Sequence, residues 1–176
     1  MKRVEQLTTD LLNDLNLMQL PVPVKKVIKA KEINLTSFDL GDEVSGVLVV
    51  ENGEARIGYN PAEPKVRQRF TLAHELGHYM LHVNNNQNNV FVDGTKVMFR
   101  RKESSDYELN RERQANSFAA ALLMPKTLIE RELAENSEIE ISSMNEDRLI
   151  AKLASRFSVS QVAMTYRLMN LGYLHR

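Results

Sequence analysis

RFTLAHELGHYMLH, running from Arg69 to His82, is the stretch on which the reading of the whole chain turns. Within it His74-Glu75-Leu76-Gly77-His78 matches the pattern H-E-x-x-H. On a helix that pattern places two imidazoles one turn apart on the same face, where they can share a zinc ion, and leaves the glutamate beside the water to be activated. A helix is what the neighbours favour. Phe70, Leu72, Ala73, Leu76, Tyr79, Met80 and Leu81 include good helix formers and no proline, and apolar residues surround both histidines, as on a helix buried on most sides. The bland account of His74 and His78 is a pair of hydrogen-bonded core histidines. Against it, three of the chain's four histidines fall within nine residues around one glutamate.

The rest of the composition narrows the chemistry. At 176 residues the chain suits one well-buried core, or one core with a small appended module. Its formal net charge is zero, so no overall pull toward nucleic acid or an anionic membrane is built in. It has no cysteine, which fits a reducing compartment and restricts any zinc ligand to His, Asp or Glu. That restriction disfavours a purely structural zinc site, which usually uses thiolates. The N-terminus, MKRVEQLTTDLLNDLN, lacks the continuous apolar core of a signal peptide, and no later run approaches a membrane span, so a cytoplasmic protein with no membrane partner is expected.

Working outward toward the N-terminus, Val44 to Asn60 contains two β-prone runs, Val47 to Val50 and Ala55 to Tyr59, flanking Asn52-Gly53, a strong two-residue hairpin signal. The hairpin leads into the HELGH helix and serves either as a sheet edge for an extended substrate or as a cover for the helix. Before it, Ile33 to Phe38 reads as extended and Val24 to Lys31 as a short helix. Val4, Leu7, Leu11, Leu12, Leu15 and Met18 repeat at helical spacing ahead of Pro21.

Toward the C-terminus, Asn84 to Asn89 reads as a polar loop, and Val90 to Val92 with Thr95 to Phe99 flank Asp93-Gly94 as a second hairpin. Arg100-Arg101-Lys102 reads as a solvated strand end. Ser105-Asp106-Tyr107-Glu108 has the form of a capping box, so a helix starts near Asp106 and runs to Pro125, which suits the first turn of another, Lys126 to Ala134. Ala115 and Ala119 give the first of these a face small enough to lie tightly on a neighbouring helix. Asn136 to Ser143 is a polar connector and the candidate boundary between a domain of residues 1–135 and a segment of residues 136–176. In that segment two apolar stripes separated by Ser158-Val159-Ser160 resemble a helix-turn-helix unit. Arg148, Lys152, Arg156 and Arg167 are read there as a solvated cationic face.

A hydrolytic zinc site needs three protein ligands and one open position. His82 continues the four-residue spacing, but it lies two turns from His74, about 12 Å along the axis, so packing or a supporting hydrogen bond is expected of it instead. Glu112 and Asn116 share a helix face one turn apart. Glu112 could coordinate the metal while Asn116 hydrogen-bonds the far nitrogen of a ligating histidine and fixes its tautomer. Taken alone, Glu112 reads as a solvated helix residue; the need for a third ligand is what singles it out. For the oxyanion, Tyr59, Tyr79, Tyr107 and His82 all remain candidates.

RFTLAHELGHYMLH, then ERQANSFAAALLMP from Glu112 to Pro125, then LASRFSVSQVAMTYRLMNLGY from Leu153 to Tyr173, agree in order and content with the ImmA/IrrE family of bacterial metallopeptidases, which this chain resembles over most of its length. The resemblance implies an α+β fold: a zincin-like core of helices and a small antiparallel sheet, with a C-terminal helix-turn-helix-like segment packed on it. It implies that His74, His78 and Glu112 bind Zn2+ and that Glu75 is the general base of a gluzincin-like endopeptidase. It further implies a protein substrate, a helix-turn-helix repressor of XRE type whose cleavage derepresses a mobile element or stress regulon. The form expected is the short one, without the additional C-terminal sensor-like domain of some relatives. The competing reading is a non-proteolytic regulatory or toxin-antitoxin protein that binds a repressor or DNA through its C-terminal helices.

Overall fold

The computed structural model describes residues 2–38, 41, 44–83, 89–93, 106–137 and 146–174. In chain order these form α1 (Lys2–Asp14), α2 (Val24–Ala30), β1 (Asn34–Ser37), β2 (Gly46–Glu51), β3 (Glu54–Tyr59), α3 (Lys65–His82), β4 (Asn89–Asp93), α4 (Asp106–Leu123), α5 (Lys126–Ser137), α6 (Glu146–Phe157) and α7 (Gln161–Leu171). The class is α+β, and among the described residues no helix is long and apolar enough to cross a membrane. The asparagine-rich run of residues 84–88, the expected strand of residues 95–99, Arg100-Arg101-Lys102 and residues 138–143 of the polar connector lie outside the described residues.

The chain divides into two compact units, Val24–Ala119 and Met1–Pro23 with Ala120–Arg176. In the first, Asn52 and Gly53 close the β2–β3 hairpin with φ of 51° and 82°, the left-handed pair that a two-residue turn of this kind requires. The sheet has the order β1-β3-β2-β4. β2 runs antiparallel to both β3 and β4, while β1 adds a parallel pair on β3, so the sheet is mixed. β1 lies on the far side of β3 from β2, with Asn34–Ser37 in register with Arg56–Tyr59. Leu48, Val50, Ala55 and Ile57 alternate onto one buried face. α3 packs against β2 and β3.

The second unit is helical. Leu11 and Leu12 of α1, Leu122, Leu123 and Met124 around the end of α4, Leu128 and Ile129 of α5, and Leu153, Phe157, Met164 and Leu168 of α6 and α7 are among its buried apolar residues. α6 and α7 pack together across the Ser158-Val159-Ser160 turn, in which Ser158 has φ of 53°. The Ser160 side chain caps α7 by accepting from the Ala163 N–H, and Gly172, at φ 81°, ends it. Charged side chains complete this unit. Arg167 is 5% exposed; its Nε donates to Met124 O at 2.9 Å and its Nη atoms hold both carboxylate oxygens of Glu5. Arg156 Nη2 donates to Oε1 of the buried Glu132 at 2.7 Å. Arg167 therefore departs from the solvated cationic face expected of it: it ties α7 to α1 and to the α4–α5 corner.

Candidate metal centre

Gly77 explains how α3 and α4 come close enough to share a site. A Cβ built there would stand 3.1 Å from Ala115 O and 3.2 Å from Ala115 Cα and from Phe118 Cβ. The HELGH glycine and the small Ala115 thus let the helix backbones approach, as the small face of α4 predicted. Glu112, one turn before Asn116 on that helix, is brought onto the two histidines of α3.

His74, His78 and Glu112 each present one ligand-capable atom, all within 4.8 Å of one another. Glu112 Oε2 lies 3.2 Å from His74 Nε2 and Glu112 Oε1 lies 3.1 Å from His78 Nε2. The two Nε2 atoms are 3.0 Å apart. Ligands held at about 2.0–2.2 Å by a tetrahedral zinc stand about 3.3–3.5 Å from each other, so the set is only slightly tighter than a metal would require. Both rings are 2% exposed, so solvent is largely excluded from the imidazole side of the triangle.

Proton positions sharpen the fit. His74 Nδ1 lies 3.0 Å from Asn116 Oδ1. A carbonyl oxygen only accepts, so Nδ1 donates its proton to Asn116, which leaves Nε2 as the nitrogen turned toward the Glu112 carboxylate. Burial lowers the His78 pKa, with Glu112 offsetting part of the effect. For Glu112, burial pushes the carboxyl up, but hydrogen bonds and charge from His74 and His78 outweigh it and hold it well below the usual carboxylate range. An ionised carboxylate beside two imidazoles is a donor set that suits a divalent cation, which takes the place of protons on the nitrogens that face it. The donor set fits a metal ion.

Glu75 is fully buried. Its Oε1 lies under the start of β2: a Cβ built on Gly46 would be 3.3 Å from that oxygen and 2.3 Å from Thr71 Cγ2. Gly46 therefore lets the strand backbone pass directly over the carboxylate. A lone glycine entering a β-prone run is the only trace of this in the sequence.

The wall beside His78 is aromatic. The Phe91 ring of β4 stacks on His78 at 4.6 Å and 24°, and the Arg111 guanidinium of α4 sits 4.5 Å from the centre of the Phe91 ring. Neither Phe91 nor Arg111 was singled out by spacing, since a single apolar strand residue and a single helix cation carry no local signal. Of the four oxyanion candidates, His82 adjoins the site, its ring 5.4 Å from that of His78. Tyr59 OH accepts from Lys25 Nζ at 2.9 Å, and Tyr107 is 68% exposed.

A family model, Peptidase_M78: IrrE N-terminal-like domain, matches residues 28–169. Comparison with curated proteins finds no match.

Proposed function

The chain belongs to the ImmA/IrrE family of metallopeptidases, and from that premise we propose that it is a zinc-dependent endopeptidase acting on a helix-turn-helix repressor. The observation that carries the metal-dependent part is the convergence of His74 Nε2 and His78 Nε2, 3.0 Å apart, on the two oxygens of the Glu112 carboxylate at 3.2 and 3.1 Å. Those three residues would hold the ion, and Asn116 would fix the His74 tautomer that exposes Nε2 to it. Zinc, when bound, supplies Lewis acidity, lowering the pKa of water toward neutrality and stabilising negative charge on a carbonyl oxygen.

The remaining chemistry belongs to Glu75. Its carboxylate follows His74 directly in the chain and is shielded from bulk solvent, which suits it to take a proton from the attacking water and return it to the leaving amine. In this reading residues 1–135 carry the chemistry and residues 136–176 are the helix-turn-helix-like segment. The repressor is the substrate that the family likeness suggests, and its cleavage would derepress a mobile element or stress regulon in the cytoplasm.

Metal analysis of the purified full chain tests the first part: about one zinc per chain is expected, and a metal-free protein that takes up none on titration removes the reading. Incubation with helix-turn-helix repressors from neighbouring reading frames tests the second, by a discrete cut that Glu75→Gln abolishes.

The non-proteolytic reading rests on α7, where Val162 and Tyr166, one turn apart, are 66% and 60% exposed. Charge gives it little support as a DNA contact, because Arg156 and Arg167 are engaged by Glu132 and Glu5. Strongly salt-dependent, sequence-specific DNA binding without cleavage of any repressor would select it instead.

A further inference from the structure

α3 carries a third histidine that the metal reading leaves without a task. His82 is half-buried, and its Nε2 lies 3.2 Å from the backbone carbonyl oxygen of Arg111. The carbonyl only accepts, so Nε2 carries the ring proton and donates it. Arg111 immediately precedes Glu112. A carbonyl has two lone pairs, so this oxygen can serve its own helix and His82 together.

We propose that His82 is a positioning residue for Glu112: by holding the Arg111 carbonyl it fixes the α4 backbone at the point where Glu112 turns toward His74 and His78. The proposal rests on the metal-site reading above and adds to it the means by which a carboxylate from a separate helix is kept in register. Arg111 is gripped at its other end as well. Its guanidinium lies 4.5 Å from the Phe91 ring and 5.6 Å from the Tyr107 ring, and Phe91 stacks on His78. Residue 111 is thus tied through its backbone to the end of α3 and through its side chain to β4, leaving Glu112 little freedom to swing away. Ligand distances have to be met to within about 0.2 Å, so even a small drift of this backbone acts on the metal.

The helix makes this a division of labour. His74, His78 and His82 lie along one face at successive turns, and the first two reach the same carboxylate while the third reaches the peptide before it. Leucine at position 82 removes the donor and keeps apolar bulk. Glutamine keeps an N–H that can reach the same carbonyl.

The test measures zinc affinity of the full chain by competition with a chromophoric chelator, in the wild type, His82→Leu, His82→Gln, and the first two again in a Glu112→Gln background. His82→Leu is expected to weaken zinc binding by about 10-fold to 100-fold, the range for loss of a hydrogen bond supporting a ligand. His82→Gln should restore most of that affinity, and the loss should disappear where Glu112 is already Gln. Long-range proton–nitrogen spectra should show His82 as the Nε2–H tautomer. Unchanged affinity in His82→Leu, an equal loss in the Glu112→Gln background, or an Nδ1–H tautomer would each overturn the proposal. A wild-type chain that binds no zinc would instead overturn the metal reading beneath it, and the two failures are told apart by the wild-type titration alone.

Discussion

Two regions of this chain bury ionisable groups, and they do so in opposite ways. Among the described residues of the helical unit, the contacts of Arg167 and Arg156 join donors to acceptors: Arg167 donates to Met124 O and to the Glu5 carboxylate, and Arg156 donates to the buried Glu132. In the unit of Val24–Ala119, His74 Nε2, His78 Nε2 and the Glu112 carboxylate oxygens converge on one another at 3.0 to 3.2 Å, three groups that can each give a metal a lone pair. Buried charge by itself therefore identifies nothing. Complementary groups complete a structure, whereas converging lone pairs call for a cation that the polypeptide does not contain.

The sharpest break between the regions is expected from Glu75→Gln. Removal of the general base should lower the rate of peptide cleavage by about 10²–10⁴-fold with zinc content unchanged. Since the side chain is fully buried, the neutral isostere should leave Tm the same or raise it. Cleavage kinetics, metal analysis and a melting curve on one preparation check all three, and a variant that still cuts at the wild-type rate removes Glu75 from its role.

Arg167→Leu is the counterpart in the helical unit. It deletes the partner of Glu5 and the donor to Met124 O, and the cost should be about 3 kcal/mol, at the low end for breaking a buried pair because Glu5 is 30% exposed. For a chain of this size that is a fall in Tm of about 6–12 °C, read by thermal unfolding. Cleavage per folded molecule should not change. Loss of activity in proportion greater than loss of folded protein would mean that Arg167 serves the site as well as the fold.

Asn116→Leu probes the contact that orients the His74 ring. Without Oδ1 the His74 proton is free to occupy Nε2, the atom the metal needs, and zinc affinity should fall by about 10–100-fold. Stability of the metal-free protein should move far less, because one hydrogen bond of this kind contributes only about 1 kcal/mol. Equal zinc affinity in wild type and variant would show that the tautomer is set by something else.

How much of this was legible in the sequence depended on whether the relevant geometry is local. The helix around HELGH and the Asn52-Gly53 turn read correctly because helix period and turn chemistry are settled within a few residues. Glu112 could be nominated only by the need for a third ligand and by the family resemblance, since its approach to His74 depends on how closely α3 and α4 lie. The parallel pairing of β1 was invisible for the same reason: nothing in Asn34–Ser37 encodes which strand it joins. Arg167 was misread because its partner, Glu5, lies 162 residues away. His82 left almost no signature for its contact, because the atom it meets at position 111 is a backbone carbonyl, which every residue has.

Gly77→Ala should give the smallest effect and bears most directly on why the site assembles. Alanine favours a helix interior over glycine by about 1 kcal/mol, which on its own would stabilise α3. Against that, the new Cβ would meet Ala115 O at 3.1 Å and Ala115 Cα at 3.2 Å, backbone atoms that cannot rotate aside, so the helices have to part by a few tenths of an ångström. Overpacking of this kind costs about 1–3 kcal/mol, and the two terms leave a net change in metal-free stability of about 2 kcal/mol or less. Glu112 moves with Ala115, however, and a displacement of that size already exceeds the tolerance of about 0.2 Å in a metal–ligand distance. Zinc affinity should thus fall severalfold in a protein whose melting temperature drops by no more than about 4–8 °C. A variant that melts higher and binds zinc as well as the wild type would show that helix spacing at Gly77 does not govern the placement of Glu112.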